Sequence, residues 1–147
     1  MMTHWALTAC AAAAALTLAG CSSEPPEYQP SSGSLSAGTA QVTVNGQDAG
    51  TTTTVQCSQA GSMTTINTGD DASGISAVVD SQEDLVVRQV GIRDLGGFTG
   101  SYNDGLGGEA SATMTGRTFT ISGTADGFDT DEPSFRSSGT FEIKVAC

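Results

Sequence analysis

The chain has 147 residues, enough for one domain, and only 14% are charged, while glycine alone contributes 19 residues. This composition is typical of strands and turns rather than helices. The net charge is −11, with every acidic residue after Cys21, and so acidic a surface repels nucleic acid and anionic lipid headgroups, which excludes both as expected partners.

Residues 1–20 have the features of a signal peptide. Residues 5–18 form an apolar run that is too short for a permanent membrane-spanning helix but suits the hydrophobic region of such a peptide. Residues 1–4 contain no Lys or Arg, which departs from the usual positively charged start. The sequence therefore predicts export, with these residues absent from the mature protein.

The apolar run ends in Leu18-Ala19-Gly20-Cys21, which resembles the lipobox of bacterial lipoproteins. In that family a diacylglycerol is attached to the Cys thiol, the peptide is cut just before the Cys, and the new amine can be acylated. Two or three acyl chains satisfy the rule that stable anchoring needs more than one. The resemblance implies lipidation of Cys21 and a place on the extracytoplasmic face of the cell membrane.

The sequence leaves two alternatives to this site. Residues 7–10 also fit a loose lipobox ending in Cys10, but cleavage there would leave a very short hydrophobic region and an Ala-rich mature start. The other alternative is a signal anchor or an ordinary cleaved signal peptide. Cys21 is the prediction because it has a full hydrophobic region before it and small residues at the cut.

Residues 21–39 are predicted to be the lipidated Cys and a flexible Ser/Pro-rich tether. They lack apolar periodicity and cannot bury enough surface to offset the entropy of ordering. As a coil they would span about 25 Å, lifting the domain off the membrane. Such a segment either carries O-linked sugars or is a bare linker.

Residues 40–147 read as one all-β domain. Short alternating segments recur every 8–12 residues, which predicts a single antiparallel β-sandwich-like fold or a barrel. Asn45-Gly46 is a strong hairpin signal. The predicted strands cover residues 42–44, 51–57, 62–68, 74–80, 85–92, 109–114, 117–124 and 141–145, and residues 96–105 alternate between turn residues and aromatics.

The cysteines predict one disulfide in this domain. After processing, only Cys57 and Cys147 remain unmodified, an even pair in an exported protein. Side chains two positions apart on a strand share a face, which we call having the same parity. Cys57 has the parity of Val55, and Cys147 has that of Val145, so both are expected to point into the same interior. Free thiols or a metal pair are the weaker alternatives, because no His or further Cys survives to complete a site.

The ordered set of short motifs resembles the mycobacterial LpqH-type lipoproteins, the 19 kDa lipoprotein antigen family. The resemblance covers nearly all of the domain and implies a surface-exposed envelope lipoprotein with no known enzyme activity. It also implies an antigen whose acylated N-terminus is sensed by host Toll-like receptors in pathogenic relatives. One departure is a tether more Pro-rich and acidic than the family's linker. The matching segments are residues 44–46, 55–57, 74–78, 90–91, 110–113, 121–125 and 141–147.

No catalytic or cofactor motif stands out. The one histidine, His4, lies in the predicted signal peptide, which removes His-based nucleophilic catalysis. Residues 105–110 match G-x-G-x-x-A but do not open a helix in a βαβ unit, so they read as turn chemistry. The acidic residues Asp126, Asp129, Asp131 and Glu132 lack the spacing of a calcium loop and read as a solvated loop. We therefore expect no enzyme, no cofactor and no metal.

Two functions remain after these exclusions. The first is a non-catalytic, lipid-anchored surface antigen or adhesin-like module. The second is a carrier that binds a lipid or other apolar ligand within the β-fold. The volume of an apolar cavity distinguishes them, because a core of this size should just fill one domain unless a ligand site is built into it.

Overall fold

The computed structural model describes residues 31–147. These residues form ten strands and no helix, so the described part of the chain has no helix that could cross a membrane. The predicted all-β antiparallel class is confirmed. The strands are β1 (Ala40–Val44), β2 (Gln47–Thr52), β3 (Val55–Ala60), β4 (Met63–Gly69), β5 (Gly74–Asp80), β6 (Val86–Leu95), β7 (Phe98–Asn103), β8 (Ala110–Thr115), β9 (Thr118–Asp129) and β10 (Ser137–Ala146).

All ten strands belong to one antiparallel sheet that is nearly closed into a barrel-like shape. The order along the sheet is β2-β1-β10-β9-β7-β6-β5-β4-β3, and β8 lies off this path, paired with β9. The long β9 has two partners on one edge, with β8 beside residues 118–123 and β7 beside residues 126–129. The sheet path therefore ends at β3 on one side, and β8 is paired along only one edge.

The core lies inside the curled sheet and follows from the alternation of side chains along each strand. One row runs across β1, β10 and β9 through Val42, Ile143 and Ile121, all of them buried. Opposite it, Ile66 pairs with Ala77 across β4 and β5. The residues that alternate with them along each strand face outward, as the period of two predicts.

Glycines permit close backbone approach where β9 changes partner. Gly127 pairs with Gly100 of β7, and a Cβ on Gly127 would overlap the carbonyl oxygen of Thr99. Such an overlap requires backbone movement, so an alanine at this position would push the two strands apart. The glycine-rich composition thus serves the switch of β9 from β8 to β7.

The predicted strand over residues 51–57 is wrong in its bounds. The structure divides it, because β2 ends at Thr52 and β3 begins at Val55. The hairpin between β1 and β2 is confirmed, since Asn45 and Gly46 both have the positive φ angles, 52° and 76°, that a tight hairpin turn requires. The break at residues 53–54 lies within four consecutive threonines, and the sequence does not indicate it because Thr suits both strands and turns.

Residues 31–39 lie against the end of the domain at which β8 turns into β9. The Leu35 N–H donates to Thr118 Oγ1 at 2.9 Å, and the Ser34 hydroxyl donates to the Thr115 carbonyl at 3.4 Å. The Gly38 N–H donates to the Ala146 carbonyl at 2.8 Å. The boundary between tether and domain at residue 40 stays a prediction, and these bonds place the entering chain beside the β8–β9 turn.

Candidate functional site

The lipobox residues Leu18, Ala19, Gly20 and Cys21 lie outside the described residues, as do Cys10 and His4. Lipidation of Cys21 therefore stays a prediction from the sequence. The candidate site within the described residues is the open side of the curled sheet beside Cys57, Met114 and Cys147, where the sheet fails to close. We call this open side the seam.

The predicted disulfide is confirmed. Cys57 and Cys147 are bonded, with 5.9 Å between their Cα atoms and a sequence separation of 90. The bond joins β3, the last strand of the sheet path, to the residue that follows β10. It therefore connects strands that are six positions apart along the path, and it holds the curled sheet together across the seam.

The expected burial of Cys57 is wrong, although its parity is right. Its row continues through Ile66 and Ala77, which are both buried on the inner face. Cys57 is nevertheless exposed, and Cys147 is half-buried against the core. The reason is that β3 ends the sheet path, so no further strand covers the inner face at that edge.

A cleft of about 350 Å³ opens beside the disulfide. The buried side chains of Val79 and Phe119 lie at its base, half-buried Leu85 forms one wall, and Met114 lies on its rim. Met114 pairs with Phe119 across β8 and β9, yet its side chain stays 48% exposed because the seam leaves it uncovered. The remaining lining residues are Cys57, Ser58, Gln59, Thr64, Ser81 and Cys147.

The seam is an uncharged region of a strongly acidic chain. Residues 51–69, which include all of β3 and β4, contain no charged side chain, and neither do residues 110–116 of β8 and its turn. No lining residue of the cleft carries a charged side chain. Its polar lining residues are Ser58, Gln59, Thr64 and Ser81, and the Ser81 hydroxyl donates to the Ser62 carbonyl at 3.1 Å.

An ion-pair network fixes the loop at one side of the cleft. Arg88 on β6 donates to the carboxylates of Asp80 at 3.0 Å and Asp104 at 2.7 Å. The hydrogen bond from Arg88 holds the pKa of the Asp80 carboxyl below its ordinary value of 3.8, and the Gln82 N–H contributes a further bond at 3.1 Å. Asp80 ends β5 and is followed by Ser81, so this network positions the β5–β6 loop that carries Leu85.

The chain entry, the β8–β9 turn and the last residue converge on the same end of the sheet. The Cys147 N–H donates to the Arg117 carbonyl at 3.2 Å, and the Arg117 guanidinium donates to the Cys147 carbonyl at 3.2 Å. Because Ser34 and Leu35 bond to the same turn, residues 31–35 lie close to the rim residue Met114. The cleft therefore opens at the end of the domain from which the tether departs.

The other residues weighed from the sequence are not brought into a site. Residues 105–110 connect β7 to β8 and lead into a strand rather than a helix, which confirms the prediction that they belong to a turn. Asp126 accepts a hydrogen bond from the Ser138 hydroxyl at 2.9 Å, and Asp129 ends β9. Within residues 31–147, no group of three or more His, Cys, Asp or Glu side chains could hold a metal ion.

The sequence did not reveal the cleft. Its walls come from β3, β4, the β5–β6 loop and β8–β9, which are far apart in the chain and meet only through the topology. One signal was present, since Met114 has the parity of an inward residue on a strand whose other residues are small. That signal could not indicate that the edge beside it was open.

Comparison with known proteins gives the chain a family. A family model described as the Mycobacterium 19 kDa lipoprotein antigen matches residues 33–147. A putative lipoprotein of Mycobacterium indicus pranii is 43% identical over 141 residues, covering 93% of this chain and 96% of its own length. Lipoprotein LpqH of Mycobacterium tuberculosis is 37% identical over 108 residues, covering 73% of this chain and 68% of its own. The chain belongs to the mycobacterial 19 kDa lipoprotein antigen family.

Proposed function

We propose that this protein is an exported, non-catalytic lipoprotein, anchored by acyl chains on Cys21 to the extracytoplasmic face of the cell membrane and acting there as a surface antigen or adhesin-like module. The family supports a lipoprotein of the cell envelope. The acylated Cys, the signal peptide of residues 1–20 and the tether are the finer parts of the proposal.

The extent of one alignment supports the anchor most directly. The similarity to the Mycobacterium indicus pranii putative lipoprotein covers 93% of this chain, and the unmatched remainder is too short to reach from Met1 to residue 18. The alignment therefore includes the lipobox Leu18-Ala19-Gly20-Cys21. The matched protein carries the name lipoprotein, which fits lipidation at the one lipobox that follows a full hydrophobic region.

The partners in this proposal are the membrane and, through the family resemblance, host Toll-like receptors that sense the acylated N-terminus. Nucleic acid is not among them, because a net charge of −11 repels phosphate. A second candidate function is the carriage of an apolar ligand. The cleft of about 350 Å³ beside the disulfide favours it, since it falls within the size range of small-molecule sites.

The anchor is tested by labelling cells with a fatty acid while they express the full-length chain, Cys21→Ala or Cys10→Ala. The wild-type and Cys10→Ala chains should incorporate the label and enter the detergent phase on phase separation. Cys21→Ala should incorporate none, because the thiol that accepts the diacylglycerol is gone. Label retained by Cys21→Ala, or lost by Cys10→Ala, would refute the assignment of the anchor.

The surface position is tested separately. Antibodies raised against the folded domain should label intact cells that express the wild-type chain, and protease added outside should remove that labelling. Labelling that appears only after the cells are opened would contradict a surface antigen while leaving the lipid anchor in place.

A further inference from the structure

We propose that the cleft beside the Cys57–Cys147 disulfide binds one acyl chain of an uncharged lipid, with an acylglycerol of the anchoring membrane as the ligand. The source of the lipid rests on the proposed function, whereas the site itself does not. The binding residues are Val79, Leu85, Met114 and Phe119, together with the disulfide.

The size and lining of the cleft match a single hydrocarbon chain. A volume of about 350 Å³ lies near the lower end of the range for ligand pockets, which spans about 300–1,000 Å³. Two buried apolar residues, Val79 and Phe119, lie at its base, and the exposed part of Met114 would be covered by a bound chain. An apolar ligand would therefore remove from water the surface that the open seam leaves uncovered.

The polar groups around the cleft select a neutral headgroup. Gln59 and Thr64 lie in the same cross-strand row as buried Val79, so the Gln59 amide and the Thr64 hydroxyl can bond the hydroxyls and esters of a glycerol. No cation lines the cleft, so a carboxylate or phosphate would find no charged partner there and would have to approach a strongly acidic chain.

The two nearby arginines do not reverse this selection. Arg88 bonds Asp80 and Asp104 with both of its terminal nitrogens. The Arg117 guanidinium donates to the Cys147 carbonyl at 3.2 Å. Each cation is thus already engaged, and an anionic headgroup would have to displace one of these bonds to find a partner.

The place of the cleft identifies the membrane as the source of the lipid. Ser34 and Leu35 bond to the β8–β9 turn that carries Met114 next to it. Cys21 and Ser31 are ten positions apart, and a chain of that length reaches at most about 35 Å. An anchor on Cys21 therefore keeps Ser31, at the end of the domain where the cleft opens, within that distance of the membrane surface.

The site is tested with the full-length chain carrying Cys21→Ser, which has no lipid of its own. Monopalmitoylglycerol and palmitate, both below their aggregation concentrations, are titrated into it and followed by calorimetry and native mass spectrometry. The neutral ester should bind one molecule per chain. Palmitate should bind roughly tenfold more weakly or worse, because no cation lines the cleft and the chain as a whole is strongly acidic.

Matched variants locate the bound chain. Met114→Gln and Leu85→Gln should each weaken binding of the ester by roughly tenfold, the effect expected for losing apolar contact in a hydrophobic site. Leu106→Gln is the control, because Leu106 is 81% exposed and does not line the cleft. Met114 is itself exposed, so its variant should fold normally, and an unchanged melting temperature verifies this.

Four results of these titrations would overturn the proposal: no binding of the ester, equal binding of palmitate, loss of binding in Leu106→Gln, or unchanged binding in both cleft variants. A lipidated wild-type chain that rejects an ester bound by Cys21→Ser would show that the protein's own acyl chain occupies the cleft, which also overturns it. Failure of the anchor appears instead as unlabelled wild-type chain, and is therefore distinguishable.

Discussion

Removal of the disulfide should destabilise the domain more than any contact made by the two cysteines. The bond closes a loop of 90 positions, for which chain-entropy arguments give about 4–5 kcal/mol of stabilisation. Cys57 is exposed and Cys147 only half-buried, so replacing both by Ser removes little packing. For a domain of this size the double variant Cys57→Ser/Cys147→Ser should melt about 15–20 °C lower.

The measurement is thermal unfolding followed by circular dichroism, with urea unfolding as a second estimate of the free energy. Ser58→Ala is the control, because Ser58 is the exposed neighbour of Cys57 on the same strand. Wild-type protein in excess dithiol should melt close to the double variant, since both have an open seam. A double variant that melts within a few degrees of the oxidised wild type would refute the view that the seam depends on this bond.

Two further predictions concern the sheet and its loop. Gly127→Ala should lower the free energy of unfolding by about 1–3 kcal/mol or more, because its Cβ would overlap the Thr99 carbonyl; an unchanged urea midpoint would show that β7 and β9 can separate freely. Asp80→Asn should lower the urea midpoint at neutral pH. The folded-state pKa of Asp80 is lowered, so its contribution is present above the ordinary value of 3.8 and is lost as pH falls below it. The gap between wild type and Asp80→Asn should therefore close below that pH, with the exposed Asp84→Asn as control, and a gap that persists there would contradict the ion-pair explanation.

The fold class could be predicted because two local signals agree along the whole chain. The period of two in segments such as Phe141, Ile143 and Val145 indicates strands with one buried face, and these residues are buried in β10. Asn45-Gly46 indicates the first hairpin, and the structure has it. The disulfide followed from counting, since an exported chain with two remaining cysteines has one pairing to make.

The seam could not be predicted because it depends on contacts that are distant in sequence. Parity places Cys57 on the inner face, but parity cannot show that β3 is the last strand of the sheet path. The double partnership of β9 with β8 and β7 arises in the same way, from the length of β9 and its glycines. The lipid anchor is the opposite case, because it depends on a local motif, residues 18–21, rather than on distant contacts. It stays a prediction from that motif.

The bond across the seam also has a mechanical consequence. Tension on the tether enters the sheet at β1, where the Gly38 N–H donates to the Ala146 carbonyl and the Ala146 N–H donates to the Thr39 carbonyl. Since β1 is paired with β2 on one side and β10 on the other, pulling it out would shear two ladders at once. The residue after Ala146 is covalently joined to β3, so part of the force passes directly to the far end of the sheet path. If the domain is anchored through its N-terminus as proposed, it would resist a pulling force without an edge strand being peeled away first.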